Sequence, residues 1–299
     1  MRHSPKHFVQ GGTPTGECLA IIPRAGNAGS NTAADHIAII VAAIAAIPEK
    51  YRHKLLITID GAGSSHGVLE HLTALNSVPG RSVEYSVGFG LDTRVRAAIG
   101  DLRGDDTLWS AALDANGQAR SDAQIADLTG LLRESYVGDL FRTWPDGMRI
   151  LVRREPITAG TQLSVFEQDD KFRYQPLATN TNVGQVQKLE SRHRTHARVE
   201  GFIRTAKDTG LAKWPSNSFA INSAWVMAVA IACDLLAWTR LLLLDGELAA
   251  AEPQTLRYRL LHTGARIIKS ARKQILRMSE TWPWAHQLAA AFARVLAIP

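Results

Sequence analysis

Leu55-Leu56-Ile57-Thr58-Ile59-Asp60-Gly61-Ala62-Gly63-Ser64-Ser65-His66-Gly67 is the stretch on which the fold turns. Its apolar opening, rich in β-branched residues, reads as a short buried strand. Gly61 to Gly63 form a turn, and a helix is predicted from Ser64 to Leu75. Val83 to Phe89 reads as the next strand. Strand, helix and strand in that order make an α/β unit. Asp60 stands at the carboxyl end of the first strand, where open α/β sheets bind ligands and metals. The plainer role for such an Asp is to cap the turn before the helix. The glycines also imitate a nucleotide-binding loop, with Glu84 following, but their Gly-x-Gly-x-x-x-Gly spacing is one residue off the dinucleotide fingerprint.

Working outward, residues 1–31 are rich in Gly, Pro and Asn and read as loop with one apolar piece, Cys18 to Ile22. Asn31 or Thr32 can cap a helix that Pro48 ends near Ile47. Short helices are predicted at Thr93 to Ile99 and Asp122 to Leu132. Strands are predicted at Met148 to Arg153 and Phe172 to Thr179, an antiparallel pair if the polar turn from Glu167 to Lys171 joins them. One long helix is predicted from Gln185 to Thr209, stopped by Gly210, and everything after Phe219 reads as helix. No internal repeat or low-complexity run interrupts this order.

Composition narrows the class. The chain has 299 residues, 45% of them hydrophobic and 21% charged, which excludes disordered and collagen-like chains. Cys18 and Cys233 are too few for a disulfide scaffold or a thiolate metal cage, and suit a reducing cytosol. The net charge of +6 permits a polyanionic partner without demanding one. The basic start, Met1 to His7, has no apolar stretch behind it and does not read as a signal peptide. Phe219 to Leu244 is long enough to span a bilayer, but it holds Asn222, Asp234 and Arg240 and reads as a buried helix, not a membrane segment.

Two further segments carry chemistry. Around Glu200, the residues Val199, Phe202, Ile203 and Ala206 form an apolar stripe at helical spacing. His193, His196, Arg204 and Lys207 share a side of that helix with Glu200, giving one carboxylate in a dense basic field. A solvated face with ordinary ion pairs explains such a pattern; a metal-binding acid among phosphate-holding neighbours explains it as well. Leu256 to Met278 reads as a basic amphipathic helix packed on its own core, with an edge of Arg and Lys open to DNA.

Several stretches together resemble a known family. They are Gly26 to His36, Asp60 with its Gly-Ala-Gly turn and His66, Ala178-Thr179-Asn180, His196 to Glu200, Lys207 to Leu211, and Phe219 to Asn222 with Trp225. From about Gly12 to its end the chain is similar to the DDE-type transposases of bacterial insertion sequences. The resemblance implies an α/β fold: a ribonuclease-H-like mixed sheet with a β-rich insertion at about 92–180 and an all-helical carboxyl-terminal part. It implies residues 1–30 as the front end of the core, 31–218 as the catalytic core and 219–299 as a helical region.

The function implied is metal-dependent cleavage and transfer of DNA strands. Three carboxylates would hold two Mg2+ or Mn2+ ions that clamp the attacking and leaving oxygens. Asp60 matches the second carboxylate and Glu200 the third, close together, with Lys207 at the family's Glu-x6-Lys spacing. His193 and His196 stand where the family signature has Tyr and Arg. The first catalytic Asp belongs on a strand upstream of the matched segment, so the chain reads as an amino-terminally truncated copy. Glu17 and Asp35, the nearest acids, match no family motif. DNA contacts are expected at Arg153, Arg154, Arg192, Arg194, His196, Arg198, Arg204 and Lys207. Trp109 and Trp144 are expected in the core, with stacking on an extruded base as the sharper role. The implied partner is double-stranded DNA bearing the element's inverted-repeat ends, bound by a homodimer in the cytoplasm. Two alternatives stand beside this: a catalytically silent DNA-binding or dimer-forming remnant, and a nucleotide-dependent enzyme using the Gly61 to Gly67 loop.

Overall fold

The computed structural model describes residues 4–10, 16–24, 32–135, 138–158, 165–195 and 197–298. Their contacts divide the chain into two units, residues 1–28 with 199–299, and residues 29–198. At the front, Ser4–Gln10 (β1) and Cys18–Arg24 (β2) pair as an antiparallel hairpin where the sequence predicts loop. The pairing is with a partner strand and with the helix beneath, and Gly-rich flanks do not advertise either.

Residues 29–198 begin with helix α1 (Ala33–Ala46), opened by a capping box in which Thr32 and Asp35 satisfy each other's backbone donors. Strand β3 (Lys54–Ile59), helix α2 (His66–Asn76) and strand β4 (Ser82–Gly88) form the expected α/β unit, with β3 and β4 parallel. Helix α3 (Thr93–Asp101) follows, capped by Asp92. Strands β5 (Ser110–Leu113) and β6 (Ala119–Asp127) come next, then the short helix α4 (Thr129–Arg133). The helix predicted at Asp122 to Leu132 is thus mostly strand. Ala123 and Ile125 alternate into the core, and Asp127 stops the strand by accepting the Thr129 N–H at 2.9 Å.

Strand β7 (Arg149–Pro156), helix α5 (Val165–Asp170) and strand β8 (Phe172–Thr179) complete the sheet, with β7 and β8 antiparallel as predicted. The sheet is mixed, in the order β3-β4-β8-β7-β6-β5, and only the β3–β4 pair is parallel. Its core holds Leu69, Leu72, Tyr85, Ile99, Leu151 and Leu177. This is the α/β, ribonuclease-H-like architecture expected from the sequence.

The long helix predicted from Gln185 to Thr209 is two helices, α6 (Val186–Arg194) and α7 (Ala197–Ala206), followed by a wide π turn at Lys207–Leu211. Gly210 does end it. Its φ of 153° and the Trp225 ring leave no room for a side chain, since an added Cβ would meet Cζ2 at 2.9 Å. Helix α8 (Phe219–Trp238) runs on through a π turn to Leu243, and the short helices α9 (Gly246–Ala249) and α10 (Pro253–Leu256) follow. The single basic helix predicted over Leu256 to Met278 is absent. Its second half is the hairpin β9 (Ala265–Ser270) and β10 (Lys273–Met278), before helix α11 (Ala285–Leu296). Ala271 and Arg272, at φ 44° and 66°, make the two-residue turn that matches strand twist, and the β-branched Ile267, Ile268 and Ile275 suit strands.

Candidate functional site

The carboxyl ends of the parallel strands β3 and β4 shape the site. Asp60 follows β3 directly and its side chain is exposed. The chain then folds back on itself: the Gly63 N–H donates to the Asp60 carbonyl at 3.1 Å, and the Ser65 N–H to the Gly63 carbonyl at 2.9 Å. Ser65 caps α2 by accepting from the Val68 N–H. The Gly63 and Ser65 amides are therefore spent inside the turn.

Gly88 closes the arrangement from the neighbouring strand. A Cβ there would stand 2.7 Å from the Gly61 nitrogen and 3.1 Å from the Asp60 carbonyl carbon. The absence of a side chain at Gly88 therefore sets how closely β4 approaches the Asp60 backbone. Beside it, His66 stacks on Trp144 with ring centroids 3.8 Å apart, and Phe89 meets Trp144 edge-on at 5.0 Å. His66 Nε2 and Thr143 Oγ1 are hydrogen-bonded at 3.3 Å. Trp109 is buried beneath the Arg154 guanidinium, which lies 4.1 Å from its ring centroid. Both tryptophans thus pack within the fold.

Asn180 extends β8 with its side chain. Its Oδ1 accepts the Tyr85 N–H at 2.8 Å and its Nδ2 donates to the Val83 carbonyl at 2.9 Å. The Thr179 hydroxyl donates to the Tyr85 carbonyl at 2.6 Å. The resemblance singles out Ala178-Thr179-Asn180, and the structure gives the stretch a physical role in fastening the strand next to β3.

Helix α6 lies on the far part of this sheet through Leu189, buried with Ile125, Leu151 and Leu177, and through charge. Glu190 is 2% exposed and takes Arg153 at 3.3 Å and Arg194 at 2.8 Å. Burial pushes its carboxyl above the usual range, while the two guanidinium groups pull the other way. Burial likewise lowers the Arg153 pKa. Arg153 also bonds Gln175, and Arg194 donates to the Leu113 carbonyl. Arg192 pairs with Glu84 at 2.5 Å, Arg154 with Asp106 at 2.5 Å, and His193 Nδ1 with the Ser86 hydroxyl at 2.9 Å. Sequence inspection misses Glu190, because its two partners converge only once the sheet forms.

Glu200 falls on α7 and Lys207 opens the π turn, with an exposed side chain. Asp60 belongs to the unit of residues 29–198 and Glu200 to the other. The side chain of Glu200 lies outside the described residues, as do His196 and the side chain of Arg198. Arg204 is exposed and pairs with Glu252 at 3.1 Å. The two acids nearest the front are engaged elsewhere: Asp35 in the α1 cap, and Glu17 with the Trp238 indole N–H at 2.6 Å. Among the described residues, no three His, Cys, Asp or Glu side chains gather to hold an ion. Asp60 itself offers a hard oxygen donor of the type divalent cations prefer.

A family model described as the transposase DDE domain group 1 matches residues 8–299. The chain belongs to the DDE transposase family. A comparison with curated proteins finds no match. DDE transposases generally use divalent metal ions and bind DNA, and the exposed Asp60 at a strand end, stiffened by Gly88 and Asn180, stands where such chemistry is placed in an α/β sheet.

Proposed function

We propose that this chain is the transposase of a bacterial insertion sequence, working in the cytoplasm as a dimer on the inverted-repeat ends of its element. The family match over residues 8–299 carries the proposal, and Asp60 at the end of β3 supports it. Asp60 and Glu200 act as metal-binding carboxylates, and Mg2+ or Mn2+, when bound, supplies the charge that stabilises the attacking and leaving oxygens at the phosphodiester. Lys207, with His196, Arg198 and Arg204 on the same stretch, holds DNA phosphates. Arg192 and Arg154, paired with Glu84 and Asp106, add to that field only in part, while Arg153 and Arg194 serve it by holding α6 in place. Residues 31–218 form the catalytic core, interrupted by the β-rich segment at about 92–180.

A second reading, a transposase that binds DNA without cutting it, is favoured by one observation. Glu17 and Asp35, the acids nearest the front, are both tied into the fold. A cleavage assay with Mg2+ or Mn2+ on DNA carrying the element's ends separates the two. Cleavage that disappears in Asp60→Ala and Glu200→Ala establishes the first reading. Binding without cleavage, with log affinity falling by about 0.9 per neutralised phosphate against log salt, establishes the second. A chain that fails to bind duplex DNA at low salt overturns both.

A further inference from the structure

The hairpin of β9 and β10 is a segment that neither the carboxylate core nor the charge pairs around α6 account for. Between Ala265 and Met278 stand Arg266, Lys269, Arg272, Lys273 and Arg277, with no Asp or Glu among them. All five cations are exposed with the rest of their own unit in place. Among the described residues none of the five forms an ion pair, unlike the arginines of β7 and α6.

Register sets which of them share a face. Residues directly opposite one another point the same way, and the direction alternates along each strand. Arg266 stands opposite Arg277, with Ile268 opposite Ile275 and Ser270 opposite Lys273 on that face. The other face carries Lys269 opposite Gln274 and Ile267 opposite Leu276. Ile275 is 42% exposed on the first face and Ile267 57% on the second, so both faces of the ribbon are open.

Two features of this ribbon oppose its own stability. Like charges directly opposite one another, as at Arg266 and Arg277, repel. At the turn, Ala271 and Arg272 hold φ of 44° and 66°, in the left-handed region that Gly occupies without steric strain. Arginine there strains the turn and places a charge at the tip of the hairpin.

We infer that the β9–β10 ribbon is a DNA-binding arm that enters the major groove tip first, its cations on the phosphates of both walls. The inference rests on the reading of the chain as a protein that acts on DNA, and adds a contact surface outside the carboxylate core. Charge complementarity selects the occupant: five unpaired cations and no acid meet a partner that is anionic along its whole length. Their distribution selects a groove. A sheet with its side chains is about 10 Å thick, and the major groove, about 12 Å wide, admits a two-stranded ribbon. In a groove, phosphates flank the ribbon on both sides. An anionic lipid surface lies on one side only, and an element docked there gathers its apolar residues on one face. Here Ile267 and Ile275 lie on opposite faces, each with cations beside it.

The test is fluorescence anisotropy of the full chain on a labelled duplex of about 30 base pairs, across about 50–200 mM salt. It compares the wild type, Arg272→Gly, Arg277→Glu and the control Arg81→Glu, each also unfolded in urea. Arg81 is exposed and precedes β4, at the end away from Asp60. Arg272→Gly relaxes the turn and removes one cation. Its urea midpoint therefore holds or rises, while affinity at the lowest salt falls about tenfold and the log–log salt slope flattens by about 0.9. Arg277→Glu sets an acid opposite Arg266, which favours the hairpin, and flattens the slope by about 1.8, the share of two phosphates. Arg81→Glu changes the net charge by the same amount and keeps the wild-type slope. A ribbon with a structural role alone loses affinity only by losing stability, so the opposite movement of the two marks a DNA contact. The inference is overturned if both ribbon variants keep wild-type affinity and slope, or if Arg81→Glu weakens binding as much as Arg277→Glu. It is overturned too if the ribbon variants lose phosphatidylserine vesicles and keep the duplex. Ribbon variants that bind like the wild type, beside intact cleavage of element ends, would sink the arm and leave the transposase reading standing. A wild type that binds duplex through the ribbon and cuts nothing does the reverse.

Discussion

Replacing Gly88 by Ala adds one methyl group and tests the construction of the Asp60 turn. Nothing about the backbone of Gly88 forbids alanine, since its φ lies outside the left-handed region. The cost is steric. The new Cβ would meet the Gly61 nitrogen at 2.7 Å, the Gly61 Cα at 3.0 Å and the Asp60 carbonyl carbon at 3.1 Å. All three are backbone atoms, so no side chain can swing away. Restoring an ordinary contact requires a movement of about 0.7 Å between the end of β4 and the Asp60–Gly61 peptide. In a packed interior such overpacking costs about 1–3 kcal/mol; Gly88 is half-buried and Asp60 and Gly61 are exposed, which puts the cost at about 1 kcal/mol. With a urea m-value of about 2 kcal/mol/M, the midpoint falls by about 0.5 M.

Because Ile59 and Val87 are the last paired residues of the parallel ladder, the displacement concentrates at Asp60. Amide hydrogen exchange at Ile59 to Gly61 quickens more than in the rest of the sheet. Any metal-dependent cleavage falls further than stability alone accounts for, since about 1 Å of misplacement can cost roughly a hundredfold in rate. Two glycines serve as controls. Gly90 has open space around a would-be Cβ, and Ala there is neutral. Gly100, inside α3, also has space, and Ala there raises stability by about 0.5–1 kcal/mol. The reasoning is refuted if Gly88→Ala unfolds at the same urea concentration as Gly90→Ala.

Three further outcomes are expected. Glu190→Ala leaves Arg153 and Arg194 without their shared carboxylate, and urea unfolding shows a loss of about 3–5 kcal/mol; a loss under 1 kcal/mol would mean water or Glu155 compensates. Asn180→Ala removes the two bonds that complete the edge of β4 and lowers stability by about 1–3 kcal/mol by the same measurement. Burial raises the Cys18 thiol to about 12 and the Cys233 thiol to about 11 from an ordinary 9.0. The folded values exceed the unfolded one, so this contribution to stability is whole below pH 9 and is lost as pH rises from 9 through 11 and 12. Iodoacetamide at pH 8 should label the native thiols about 100-fold or more slowly than the denatured chain, and equal rates would show that neither thiol is shielded.

What the sequence makes legible is local. The run Leu55 to Ile59, the glycines and Ser65 each bias the backbone within a few residues of themselves, and together they give strand, turn, capped helix and the position of Asp60. Gly210 is legible for the same reason, because a chain stop needs no distant partner. The hairpins are not. Cys18–Arg24 becomes a strand by lying on Ser4–Gln10 and on α8, and Ala265–Ser270 by meeting Lys273–Met278 through a turn of Ala and Arg, residues that carry no turn signal. A basic amphipathic segment fits a helical wheel and a two-stranded ribbon equally well until the turn is known.

The cations show the same limit from the side of function. Along the chain, Arg192, Arg194, Arg198, Arg204 and Lys207 outnumber the acids near them and read as a field for phosphate. Folding brings in acids from far away: Glu84, more than 100 residues upstream of Arg192, and Glu252, well downstream of Arg204. Glu190, counted along the helix as one more surface acid, is in fact buried with Arg153 of strand β7. A local excess of positive charge therefore overstates the charge left for DNA. What survives folding is a smaller set, led by the exposed Lys207 on a π turn that Gly210 terminates. π turns recur at functional sites because the widened ring re-aims a side chain without breaking the helix. Lys207 needs no acid nearby to be useful, and its placement next to α7 puts an amine one helical stretch beyond Glu200 whether or not the surrounding arginines are free.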